Sequence, residues 1–153
     1  MSKPEFVYAI YIKTTPQALW NALIDPEITR QWWFGCAQQC DWRKGADWRL
    51  VRDDGCVVDS GEVLEIDPPR RLVLSWRHEL GEELRAEGYS RAIFDLEQVG
   101  DAVRLTISHS SDIAGSQLIA GVSEGWPQIL SSLKSLLETG ASFEQTRRWP
   151  AAA

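Results

Sequence analysis

Apolar and polar residues alternate through most of the middle of the chain, and the period lengthens to that of a helix only near the two ends. Phe6, Tyr8, Ile10 and Ile12 interleave with Val7, Ala9 and Tyr11, which predicts a first strand over about residues 5–13. Thr14-Thr15-Pro16 then opens a helix, with Thr15 as N-cap and Pro16 at the first helical position, where its missing N–H costs nothing. Ala18, Leu19, Ala22 and Leu23 form its apolar stripe. Asp25-Pro26 ends that helix, because the residue before a proline avoids helical geometry, and starts a second short one reaching about Trp32-Trp33-Phe34.

From Gly35 onward turn signals recur at short intervals between alternating runs. The predicted strands are Ala37–Arg43, Ala46–Arg52, Cys56–Ile66, Arg71–Glu79, Ser90–Gln98 and Ala102–Ser108. Lys44-Gly45, Asp53-Asp54-Gly55, Asp67-Pro68-Pro69, the loop Leu80–Tyr89 and Gly100-Asp101 separate them. Connections this short join antiparallel neighbours, and Pro68-Pro69, which cannot donate to a ladder, belongs in a turn. After the last strand, Leu118, Val122, Trp126, Ile129, Leu133 and Leu136 or Leu137 recur at steps of three and four. They predict a long amphipathic helix stopped by Gly140, with Pro127 bending it beside Trp126. The residues after Gly140 are expected to fray.

The order is therefore β-α-α-β6-α. Six consecutive strands must cover an apolar face, and the only long helix available is the last. The expectation is one α+β domain over residues 1–153, with a core at about 5–140 and a tail at 141–153, in which a curved antiparallel sheet grips the final helix.

Several stretches carry a family likeness. They are Thr15-Pro16-x-x-Leu19-Trp20, Trp32-Trp33, Gly61-Glu62-Val63-Leu64-Glu65-Ile66-Asp67-Pro68-Pro69-Arg70-Arg71-Leu72, Leu74-Ser75-Trp76, and Gly125-Trp126-Pro127 running into Leu133–Gly140. With the element order, they make the chain resemble the SRPBCC (START-like, birch-pollen-allergen-like) superfamily. Within it the chain is most similar to homologues of the activator of heat-shock-protein-90 ATPase, from about residue 5 to residue 140. The resemblance implies a helix-grip fold with a cavity between sheet and last helix. It says less about activity, because this fold hosts carriers, receptors and cyclases alike.

Composition narrows the field further. Sixteen basic against twenty-two acidic residues give a net charge of −6, and no basic cluster exceeds a pair, so a nucleic-acid partner is not expected. No apolar run approaches a membrane span and no signal core precedes the first strand, which predicts a cytoplasmic protein with no membrane insertion. Cys36, Cys40 and Cys56 are odd in number and read as reduced thiols; neither a metal nor another cofactor is expected. Eight tryptophans are the compositional outlier, either a bulky core or the wall of a ligand cavity.

The candidate site follows from strand parity. Leu72, Leu74, Trp76 and His78 share the inward face of one strand, and Leu105, Ile107 and His109 that of another. Trp48 with Leu50, and Phe94 with Leu96, extend that face. The expected ligand-binding set is Trp33, Trp48, Trp76, His78, Tyr89, Phe94, His109, Trp126, Ile129 and Leu133. The rings and aliphatics would supply apolar contact, and His78, His109 and Tyr89 would orient a polar group. Glu79, Glu82, Glu83 and Glu87 read as a solvated surface. No phosphate loop or nucleophile elbow is present, and no catalytic residue is assigned. The leading expectation is a binder of a small hydrophobic molecule. Two others stay open: an aromatase/cyclase-like enzyme using His78 or His109 as base, and an interaction module that modulates a chaperone or serves a stress response. Either a monomer or a homodimer is compatible.

Overall fold

The computed structural model describes residues 3–150. Seven strands form one antiparallel sheet in the order β1-β7-β6-β5-β4-β3-β2. They are β1 (Glu5–Ile12), β2 (Ala37–Cys40), β3 (Asp47–Val51), β4 (Val57–Asp67), β5 (Arg71–His78), β6 (Ser90–Val99) and β7 (Ala102–Ser110). The helices α1 (Pro16–Ile24) and α2 (Pro26–Trp32) connect the two edge strands, and α4 (Gln117–Thr139) closes the apolar face. This is the helix-grip arrangement of an α+β domain.

Local chemistry sets the element ends. Thr15 Oγ1 accepts from the Ala18 amide at 3.2 Å, capping α1. Asp25 both ends α1 and caps α2, its carboxylate accepting from the amides of Glu27 and Ile28 at 2.9 and 3.2 Å. Strand β2 stops three residues short of its predicted end, because Trp42 takes a positive φ of 53° and its amide turns to Cys40 Sγ. The loop Leu80–Tyr89 holds an unpredicted single helical turn, α3 (Glu82–Ala86). Helix α4 runs through Pro127 without an interruption and ends at Gly140, whose φ of 88° is the left-handed stop expected there.

The inner face is continuous. Leu72, Leu74 and Trp76 of β5, Ala92, Phe94 and Leu96 of β6, and Val103, Leu105 and Ile107 of β7 are buried beneath Trp126, Ile129, Leu130 and Leu133 of α4. The outer face is a lattice of ion pairs, among them Arg71–Asp95 at 2.9 Å and Arg77–Glu79 at 2.6 Å. Both ends of α4 are anchored. Glu87 accepts from Ser116 Oγ and the Gln117 amide at 2.6 and 2.9 Å, placing a carboxylate at the positive end of the helix. Glu138 accepts from the Lys13 amide at 2.8 Å, and Lys134 donates to the Tyr11 carbonyl at 2.6 Å, fixing the other end to β1.

Two expectations need correction here. Glu79 and Glu87 are not merely solvated. Glu79 accepts from Ser60 and Arg77, and Glu87 holds the start of α4. Nor does the chain fray after Gly140. Ser142 and Thr146 are buried, Thr146 Oγ1 lies 2.7 Å from Ser132 Oγ of α4, and the backbone at Arg147–Arg148 passes so close to Gly35 that a Cβ there would meet it at 3.2 Å. Ala151–Ala153, part of the predicted tail, lie outside the described residues. Among the described residues no helix is long and apolar enough to cross a membrane.

Candidate functional site

Between the first half of α4 and the end of the sheet lies a cleft of about 230 Å³. Its walls are aromatic. Trp76 of β5 lies 5.9 Å from Trp33 and 5.6 Å from Trp126 between ring centres, and Trp33 lies 5.4 Å from Trp126. Phe34 and Trp149 extend the wall, meeting edge to face at 6.5 Å. Leu84 of α3 and Ile129 of α4 add aliphatic surface.

Each ring is placed by its own hydrogen bonds and backbone. Trp33 caps α2, and the turn that follows needs positive φ at both Phe34 (52°) and Gly35 (74°), which swings Phe34 to the cleft. Trp76 donates its indole N–H to Asp59 Oδ1 at 3.0 Å, and Trp126 donates to His109 Nδ1 at 3.2 Å. With their polar edges satisfied inside the protein, these two indoles offer carbon surface to the cleft. On the helical wall, Gly121 and Gly125 supply no side chain, and a Cβ built on either meets nothing within 4 Å. They keep the cleft open.

Three polar side chains line this apolar space: Asp59, His78 and Gln117. Asp59 of β4 pairs in register with His78 of β5, and His78 Nδ1 lies 2.8 Å from Asp59 Oδ1. An acceptor carboxylate at that distance fixes the imidazole proton on Nδ1. Asp59 is only 6% exposed. Burial pushes its carboxyl above the ordinary range, against the opposing pull of His78 and Trp76. The hydrogen bond to Asp59 in turn raises the His78 imidazole above its ordinary value. Among the described residues every buried side-chain nitrogen and oxygen has a partner. Asp59 Oδ2 and His78 Nε2 have no partner among the described residues, so neither atom is fully buried, and both residues line the cleft.

Of the ten residues expected to bind ligand, Trp33, Trp76, His78, Trp126 and Ile129 line the cleft. The other five stand elsewhere. Trp48 is buried behind Trp76, with ring centres 4.4 Å apart, and donates to Gln38 Oε1 at 2.9 Å. Phe94 packs edge to face on the far side of Trp126 at 5.6 Å, and Leu133 is fully buried farther along α4. His109 is fully buried with both ring nitrogens engaged, by Trp126 and by Ser90. Tyr89 is on the outer face, 54% exposed, under the Arg77 guanidinium at 4.8 Å. Sequence reasoning missed Asp59, Leu84, Gln117, Gly121 and Trp149. Asp59 alone carried a signal, an acid inside a strand, flanked by Val58 and Ser60.

The three cysteines are free thiols, and burial pushes that of Cys36 up to about 12, which makes it inert. Among the described residues no three His, Cys, Asp or Glu side chains gather as a metal site would require.

Comparison with known proteins fits this architecture. Residues 13–138 match the family model described as Activator of Hsp90 ATPase homolog 1-like protein. Protein MLL2253 from Mesorhizobium loti superposes with a TM-score of 0.75 at 23% identity, covering 88% of this chain and 97% of that one. CalU16 from Micromonospora echinospora gives 0.72 at 23% identity, over 90% and 78%. An HSP90 activator from Plasmodium falciparum gives 0.71 at 21% identity, over 87% and 95%. A comparison with curated protein sequences finds no match.

Proposed function

The chain belongs to the Activator of Hsp90 ATPase homolog 1-like family, and on that frame we propose that it binds one small, flat, hydrophobic molecule in the cleft under α4. The observation that carries this reading is the lining itself. Trp33, Trp76 and Trp126 surround a space that Gly121 and Gly125 leave unfilled. A cavity of about 150 Å³ admits benzene, so about 230 Å³ suits two fused rings. A ligand that buries about 250 Å² of apolar surface there gains roughly 6 kcal/mol before association costs are subtracted.

Titration with naphthalene tests the proposal, read by quenching of tryptophan fluorescence in the wild type and in Gly125→Leu. Saturable quenching that disappears when the leucine fills the cleft supports it. Naphthalene binding that is absent, or equal in both proteins, sinks it. The relatives' names suggest a chaperone partner instead. Stimulation of Hsp90 ATPase that survives Gly125→Leu would assign this chain a protein-interaction role independent of the cleft.

A further inference from the structure

We propose that the Asp59–His78 pair is a hydrogen-bond acceptor site that selects, among flat apolar ligands, those bearing a phenolic or enolic hydroxyl. The proposal rests on the cleft being a ligand site, as argued above, and adds the chemical class of what enters it.

Asp59 Oδ1 already accepts twice, from Trp76 Nε1 at 3.0 Å and from His78 Nδ1 at 2.8 Å. Its second oxygen accepts from nothing among the described residues, although the residue is more than nine-tenths buried and lines the cleft. In its neutral form, which is populated once pH exceeds its raised value, His78 keeps its proton on Nδ1 toward Asp59 and presents a lone pair at Nε2. Two acceptors thus face a largely apolar space, and leaving them dry beneath a bound hydrocarbon costs about 1–3 kcal/mol per group. A ligand hydroxyl, with one proton to donate, removes that cost at one of the two acceptors, and a ligand that cannot donate bears it at both. Naphthalene-like ligands still bind, because the walls are apolar, but a hydroxyl analogue binds more tightly.

The charge of the donor is settled by the rest of the lining. Among the described residues no Lys or Arg lines the cleft, so a carboxylate ligand would face the Asp59 carboxylate with no guanidinium or ammonium to offset it. An ammonium ligand would have to shed its water against a carboxylate already engaged by an indole and an imidazole. A neutral, weakly acidic hydroxyl escapes both costs. Its proton lies between oxygen and His78 Nε2, and Asp59 stabilises any positive charge that develops on the imidazole. The arrangement is that of a carboxylate orienting a histidine so that its free nitrogen can accept a proton.

Four probes on one ring system test this: 2-naphthol, naphthalene, 2-naphthoate and 2-naphthylmethylammonium, titrated against the full chain. The expected result is 2-naphthol at least tenfold tighter than each of the others. That preference over naphthalene should fall to within about twofold in both Asp59→Asn and His78→Phe. A second readout does not depend on comparing affinities. Excited beyond the tryptophan absorption, 2-naphthol bound to the wild type should emit as the naphtholate, its proton passed to His78, and in His78→Phe as the neutral naphthol. Equal affinity for naphthol and naphthalene would leave the cleft reading standing and overturn this one. Failure of all four probes would overturn both. Tightest binding of the ammonium would make the pair a counter-ion, and a naphthol preference unchanged in both variants would place the selecting group elsewhere; either result overturns the proposal.

Discussion

Trp126 donates its indole N–H to His109 Nδ1 at 3.2 Å, and that one bond both ties α4 to β7 and settles the protonation of a buried histidine. An indole N–H can only donate, so Nδ1 must accept and the ring proton resides on Nε2. Nε2 lies 2.8 Å from Ser90 Oγ, whose own hydroxyl donates to the Trp76 carbonyl at 2.9 Å. The chain of donors runs from the helix across three strands with no group left over. It holds two of the cleft's tryptophans, Trp76 and Trp126, in place from behind.

Acid should release this network. Burial holds His109 down to about 4, against an ordinary value near 6.5. Between those limits the unfolded chain binds a proton that the folded chain refuses. Stability is therefore fully present above about pH 6.5 and is lost as pH falls toward 4. The loss is on the order of 2–3 kcal/mol by pH ~4.5. Urea midpoints measured at pH ~7.5 and ~4.5 should show the wild type losing more stability than His109→Gln by about that amount. Parallel losses in the two proteins would mean that His109 is not the neutral, proton-refusing group.

The inward set of β5 and β7 was legible from alternation alone, because every second residue of a strand faces the same way; Leu72, Leu74, Trp76 and Leu105 are where parity puts them. Parity also sends Tyr89 outward with Arg91, since Ser90 faces in. What alternation cannot supply is register. Asp59 becomes a site residue only when β4 is aligned so that it falls opposite His78, and the pairing of β3 with β4 slips between Leu50 and Val51. Trp149 is equally invisible in one dimension. It reaches the cleft because the chain after Gly140 turns back over Gly35, and no period records that path. Helix α3 is a single turn, too short for the spacing of apolar residues to show.

Gly125 should trade stability for function. In a helix interior, Gly→Ala is favourable by about 1 kcal/mol, and here the added Cβ meets no atom within 4 Å. Gly125→Ala should raise Tm by about 2–4 °C, measured by differential scanning calorimetry. Gly125→Leu should keep a folded, helical protein while abolishing naphthalene binding. A destabilised Gly125→Ala would mean that the helix needs the glycine for its own conformation.

At Gly61 the opposite holds. A Cβ there would overlap the Ser75 carbonyl oxygen, a backbone atom that cannot swing aside. Gly61→Ala should cost about 1–3 kcal/mol. It should also weaken 2-naphthol binding, because forcing β4 from β5 separates Asp59 from His78. A variant with unchanged Tm and unchanged naphthol affinity would contradict that close approach.

Trp149 closes one side of the cleft from beyond the last helix. It meets Phe34 edge to face, and the Arg52 guanidinium lies 5.4 Å from its ring centre. Arg52 is itself held by Asp54 at 2.6 Å, so the ring sits between a fixed cation and a fixed aromatic. Trp149 lines the cleft but is only half-buried, so Trp149→Ala removes a wall rather than a core side chain. The expected result is a modest loss of stability, about 1 kcal/mol. Naphthalene and 2-naphthol affinity should fall together by roughly tenfold, because the lost contact is apolar and common to both. Their ratio should stay as in the wild type. A change in the ratio would mean that Trp149 also bears on the Asp59–His78 pair, which would tie the chain's last described residues to ligand selection as well as to closure.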